Sequence, residues 1–109
     1  MSQLKNLEQL LVNFRDERDW KQFHNPKDLA VALSIEAGEL LEAFLWKDAD
    51  EAKIEKVKEE LADVLAYALL LGHHYGLDLE EVIREKVKKN GEKYPVEKAK
   101  GSATKYNEL

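Results

Sequence analysis

Apolar positions along this chain fall into helical stripes, and no stretch shows the strict alternation of a strand. Leu4, Leu7, Leu10, Leu11 and Phe14 recur at i, i+3, i+4 spacing. They predict a first helix over Gln3 to Arg18, capped by Ser2, with the stripe facing a core. A second helix is expected from Lys27 to Trp46, with Asp28 in the first turn suiting the positive helix end. Asp50 is placed to cap a third, from Glu51 to Tyr75, with Gly76 as a left-handed stop. Asp78 caps a fourth, Leu79 to Asn90, with Leu79, Val82, Ile83 and Val87 turned to the core. The third helix changes character along its length. From Leu61 to Leu71 it is apolar except for Asp63 and the Tyr67 hydroxyl. A helix apolar nearly all round is buried on more than one side. A chain of 109 residues has few places to bury one, so oligomerisation is expected.

Two connecting stretches leave alternatives open. Pro26 disfavours helix at Asn25, which puts Trp20, Phe23 and His24 in or near a connection. The aromatics either cover the end of the bundle or form a platform for a planar ligand, where base stacking contributes about 1–3 kcal/mol. The tail, residues 92–109, is polar and basic. It is either a frayed terminus or a segment that folds over anionic oxygens, with Lys93 and Lys105 as phosphate contacts. His73 and His74 are adjacent, diverge by about 100° on a helix and make a poor joint metal site. They read as helix-end residues.

Length and composition narrow the class. Residues 1–109 suit a single domain, and a 44% hydrophobic, 36% charged chain can fold as an all-α protein. With no cysteine there is no disulfide framework and no thiolate chemistry. No signal-peptide pattern is visible at the N-terminus, and the longest apolar run, Val64 to Leu71, is too short to span a bilayer. No membrane partner is expected, and the cytoplasm is the default location. A net charge of −5 argues against binding a nucleic-acid polymer. It leaves room for a small polyanion bound through a cation. The glycines form neither a dinucleotide fingerprint nor a phosphate loop.

Four acids break the amphipathic pattern. Glu36 and Glu39 stand one turn apart, as do Glu60 and Asp63. Glu60 lies on the stripe of Val57, Val64, Tyr67 and Leu71, and Asp63 lies at its edge. Glu36 has Leu33 three residues before it and Leu40 four after it. Acids that only solubilise a helix belong on the opposite face. A half-buried carboxylate is costly unless paired or bound to a metal. Two readings follow: the acids pair with Lys53 and Lys56 at the helix surface, or they hold a hard divalent cation, which takes oxygen ligands.

Beyond this point the sequence resembles a known family. Glu-x-x-Glu at 36–39 and Glu-x-x-Asp at 60–63, separated by 20 residues, resemble the metal motif of the all-α MazG-like nucleoside triphosphate pyrophosphohydrolases. The run Glu17 to His24 with Pro26, the Trp46-Lys47 pair, Asn90-x-x-Lys93-Tyr94-Pro95 and the closing Lys105 to Leu109 resemble the dCTP pyrophosphatase branch. The resemblance implies an oligomeric four-helix bundle, a dimer or tetramer. It implies Mg²⁺-dependent hydrolysis, with Mn²⁺ as a substitute, of a deoxynucleoside triphosphate such as dCTP or modified dCTP. The products would be monophosphate and pyrophosphate, and the role nucleotide-pool cleansing. Glu36, Glu39, Glu60 and Asp63 would be the catalytic metal ligands, one glutamate instead orienting the water. Trp20, His24, Trp46 and Tyr67 match positions of the nucleoside pocket. Asn90, Lys93, Lys105 and Tyr106 match the region that meets sugar and phosphates. Two departures bear on base preference: a shorter link between helices two and three, and Lys93 where some members carry Arg, a point charge in place of a planar fork. Two other functions stay open: a non-catalytic helical oligomerisation or adaptor module, and the same fold acting on another nucleotide phosphate.

Overall fold

Side-chain caps set where the helices begin. In the computed structural model, which describes residues 2–109, Ser2 Oγ accepts from the Lys5 amide and starts α1, Gln3–Glu17. Asn25 Oδ1 accepts from the Asp28 amide, Pro26 takes the first helical position, and α2 runs Pro26–Glu42. The long α3, Ile54–His74, ends at Tyr75, and Gly76 follows with φ of 64°. Asp78 Oδ1 accepts from the amides of Glu80 and Glu81 to open α4, Leu79–Lys93. A single turn of helix, α5, spans Val96–Ala99, and short 3₁₀ turns occupy Lys21–Phe23, Ala49–Glu51 and Tyr106–Glu108. No strand occurs among the described residues.

The chain divides into two compact units, Met1–Leu77 and Asp78–Leu109. In the first, α3 packs against both α2 and α1. Val12, Leu29 and Leu70 form the buried centre, with Leu11, Tyr67 and Leu71 packed against it. Each fully buried aliphatic side chain stabilises by about 1.5–3 kcal/mol. In the second unit the Tyr94 and Tyr106 rings meet edge to face with centroids 5.9 Å apart, and Lys93 Nζ lies 4.7 Å from the Tyr106 centroid.

Several boundaries and faces differ from the sequence expectation. The second helix stops at Glu42, not Trp46. The amides of Ala43, Phe44 and Leu45 bond three residues back, tightening the chain into turns, and Trp46 then adopts φ of 59°. A left-handed residue ends a helix, usually as glycine, so the apolar sequence gave no warning. Asp50 does not cap the third helix. Asp48 instead makes a capping box with Glu51 around the 3₁₀ turn, and α3 starts at Ile54. The fourth helix continues through Gly91 to Lys93, since one glycine costs a helix only about 1 kcal/mol. Along α1 the buried residues are Glu8, Val12 and Arg15, while Leu7, Leu10 and Phe14 are exposed. Val82, Ile83 and Val87 of α4 are likewise exposed. An apolar stripe identifies a face that avoids water, but it does not say whether the cover comes from the same chain.

Candidate active site

The α2–α3 contact brings three of the four acids together. Oxygens of Glu36, Glu60 and Asp63 all lie within 4.8 Å of one another. Glu60 is 6% exposed, Glu36 is half-buried, and Asp63 opens to solvent. Glu39 falls outside that trio, yet its carboxylate is a hydrogen-bonding neighbour of both Glu36 and Glu60. The helix phase explains the gradient. Glu60 is on the stripe that α3 turns inward, and Asp63, one turn on, is at its rim.

Lysine pairing accounts for only part of this cluster. Lys56 Nζ donates to Glu60 Oε1 at 2.8 Å, and Lys53 forms no ion pair among the described residues. Glu60 Oε2 and Glu36 Oε2 are both buried and without a partner. Ionised carboxylates only accept, so neither can satisfy the other until a proton or a cation comes between them. The electrostatics show the same shortage. A hydrogen bond with Glu39, burial, and the charges of Glu39, Asp63 and Glu60 raise the Glu36 carboxyl to about 7. Lys56 holds Glu60 below its usual range despite burial. Two orphaned oxygens within a cluster of carboxylates fit a hard divalent cation, and an all-oxygen donor set suits Mg²⁺ or Mn²⁺.

A cleft of about 370 Å³ lies beside the acids and shares Asp63 with them. Trp20, His24 and Tyr67 line it, with Phe14 and Leu11 on the α1 side. Trp20 is held edge to face against Phe14, centroids 5.8 Å apart, and the Arg18 guanidinium covers the Phe14 ring at 3.6 Å. Burial and the charge of Arg15 lower the His24 imidazole, and its buried Nδ1 has no partner. Burial first, then the Glu36 and Asp63 charges, raise the Tyr67 hydroxyl, which keeps it a neutral donor.

Within the first unit, Trp46 stands apart from this site. Trp46 is 94% exposed and does not line the cleft. Asn90, Lys93, Lys105 and Tyr106 all belong to the second unit, where Lys93 stands over the Tyr106 ring. The sequence reading overlooked Glu8 and Arg15, two buried charges of α1, and treated His73 as a helix end. His73 Nδ1 is 2.8 Å from Glu8 Oε1, and Lys5 Nζ is 3.3 Å from Glu8 Oε2. The one sequence signal was the i, i+4, i+7 line of Glu8, Val12 and Arg15, which flanks the leucine stripe about 100° round the helix.

Residues 31–109 match the model of the MazG-like family. The chain is similar to dCTP pyrophosphatase 1 of Mus musculus, 39% identical over 114 aligned positions covering 97% of this chain and 67% of that protein. It is similar to dCTP pyrophosphatase 1 of Homo sapiens at 38% identity, with the same coverage. Its fold is similar to a crystal structure of a pyrophosphatase from Archaeoglobus fulgidus, with TM-score 0.80 and 40% identity over 87% of this chain and 94% of that one. The matched region contains both acidic pairs, the greater part of α2 and all of α3, and the chain belongs to the MazG-like family.

Proposed function

We propose that this chain is a nucleoside triphosphate pyrophosphohydrolase that cleaves dCTP, or a modified dCTP, between the α and β phosphates, giving dCMP or its analogue and pyrophosphate. The observation that carries the reading is Asp63: it belongs both to the carboxylate cluster and to the aromatic cleft, so a base and a phosphate chain can be held side by side. The family and the relatives' stated activity support it.

Glu36, Glu60 and Asp63, with Glu39 beside them, are the residues we assign to the cation, Mg²⁺ by preference. When bound, that ion supplies Lewis acidity and neutralises charge on the triphosphate. The remaining work falls to the protein. Trp20 offers its face to the base, and Phe14 holds that ring in place. His24 Nδ1 and the Tyr67 hydroxyl stand ready for polar edges of the nucleoside. The walls of Leu11, Ala66 and Leu70 exclude water from that side of the cleft. Glu39 is our candidate for orienting the attacking water. We carry Trp46 as a nucleoside contact, and Asn90, Lys93, Lys105 and Tyr106 as sugar and phosphate contacts, on the family resemblance alone.

The proposal includes a homo-oligomer, dimer or tetramer. An apolar groove of about 250 Å³ between α1 and α3, lined by Leu7, Leu10, Leu65 and Leu69, supports it. Leu10 is 64% exposed and Leu65 55%. A cytoplasmic, nucleotide-pool cleansing role is part of the same reading. No helix among the described residues is long and apolar enough to cross a membrane. The test is purified protein with Mg²⁺ and each of the four dNTPs, products resolved. Pyrophosphate and dCMP should appear fastest from dCTP, and absence of pyrophosphate from every dNTP would overturn the reading.

A further inference from the structure

A second cavity, about 380 Å³, adjoins the nucleotide cleft, and both Arg15 and His24 line the two. Arg15, Lys21, His73 and His74 complete its basic lining, with Gln22 and Asn25 as the neutral members. No carboxylate lines it. That is unusual in a chain with 22 acidic and 17 basic residues.

The neighbouring acids are already engaged. Asp16 Oδ1 accepts from Arg15 Nε at 2.9 Å, and Glu8 holds His73 and Lys5. Asn25 is committed to Asp28 through its amide group, and Gln22 Nε2 donates to Asp19. Arg15 is 7% exposed, and its guanidinium is fixed in place by Asp16, which it meets through Nε and a terminal nitrogen, both at 2.9 Å. Lys21 and His74 stand at the open side, and the His74 ring is braced edge to face by Tyr75, centroids 5.2 Å apart. A guanidinium, a lysine and several ring nitrogens in a lining without a carboxylate suit a tetrahedral oxyanion with many acceptor oxygens.

We propose that this cavity binds a phosphate-type oxyanion, with Arg15 and Lys21 supplying the charge and the imidazoles of His73 and His74 the further donors, at a site next to the nucleotide cleft. None of these four residues belongs to the acid cluster, and of them only Arg15 also lines the nucleotide cleft.

The test is an NMR titration of the full chain with sodium phosphate at constant ionic strength, following the ring signals of His24, His73 and His74. All three should shift along one saturable curve. Lys21→Ala with His74→Ala should weaken that binding by about tenfold, and Lys21→Ala alone by a smaller factor. Both side chains are exposed, and circular dichroism should show the helices intact. Trp20→Ala should leave phosphate binding unchanged. A parallel titration with dCMP identifies the source: the same variant sensitivity means that a phosphomonoester enters, and a response to inorganic phosphate alone means the free ion. Shifts that follow matched chloride, an unchanged affinity in the double variant, or loss of binding in Trp20→Ala would each overturn the proposal.

Discussion

Glu8 and Glu60 are buried to nearly the same degree, 7% and 6% exposed, and their surroundings differ in kind. Glu8 has both oxygens engaged, one by His73 and one by Lys5. Glu60 has one oxygen on Lys56, and the other, like an oxygen of Glu36 in the same cluster, is buried without a partner. Both sit where α3 meets a neighbouring helix. A buried carboxylate that is fully paired stabilises a helix contact, and its loss leaves unpaired charge behind. A buried carboxylate left half-paired among other acids costs stability, and that cost persists where a ligand completes the site. The pair separates structure from function on one molecule.

The largest expected effect breaks the comparison on the functional side. Glu60→Gln should lower pyrophosphate release from dCTP by about 10³-fold, several kcal/mol of transition-state stabilisation, with the helical circular dichroism intact. Glu8→Gln should leave kcat near the wild-type value. A similar loss in both would erase the distinction. Ligand binding comes next. Mg²⁺ with a nonhydrolysable dCTP analogue should raise the wild-type melting point, by about 2.7 kcal/mol of stability at one hundred times Kd, and should leave Glu60→Gln unmoved. An unresponsive wild type would favour the adaptor reading.

On the structural side, Glu8→Ala should destabilise the fold by about 1–3 kcal/mol, the cost of a broken charged hydrogen bond. Thermal unfolding reads this, and an unchanged melting point would remove Glu8 from the structural role. Trp20→Ala should raise KM for dCTP by roughly tenfold, within the range of one lost stacking contact, with little change in kcat.

The smallest effect is a pH dependence. Glu36 titrates near 7 in the metal-free fold and near 4.5 unfolded, so between these values the folded chain holds the extra proton. Metal-free protein should therefore lose stability through Glu36 as pH rises from about 4.5 to 7. Glu36→Gln should flatten that part of the profile. Chemical denaturation at a series of pH values would show it, and an identical slope in the variant would contradict it.

How much of this was legible in the sequence depends on range. Ser2 and Asp78 act within three residues, so their caps could be read directly. Glu60 could be placed inward because its phase on α3 is fixed by Val57, Val64 and Tyr67. The end of α2 was hidden, because Ala43, Phe44, Leu45 and Trp46 continue an apolar helical pattern and the left-handed residue is Trp46, not glycine. The stripe of α1 was seen but misdirected: Leu7, Leu10 and Phe14 stay exposed while Val12 and two charges turn inward. The Glu8–His73 pair joins residues 65 positions apart, and periodicity carries no such information. Of the site, the four acids and the aromatic segment were visible. That Asp63 serves both cluster and cleft needed the packing of α3.

The central claim is that the carboxylates of α2 and α3 hold a divalent cation in common, and Mn²⁺ binding followed by electron paramagnetic resonance tests it most directly. Wild-type protein should bind Mn²⁺ saturably and release it to excess Mg²⁺, and Glu36→Gln and Glu60→Gln should each lose that binding while remaining helical. Equal Mn²⁺ affinity in wild type and both variants, or none in the wild type, would contradict the account.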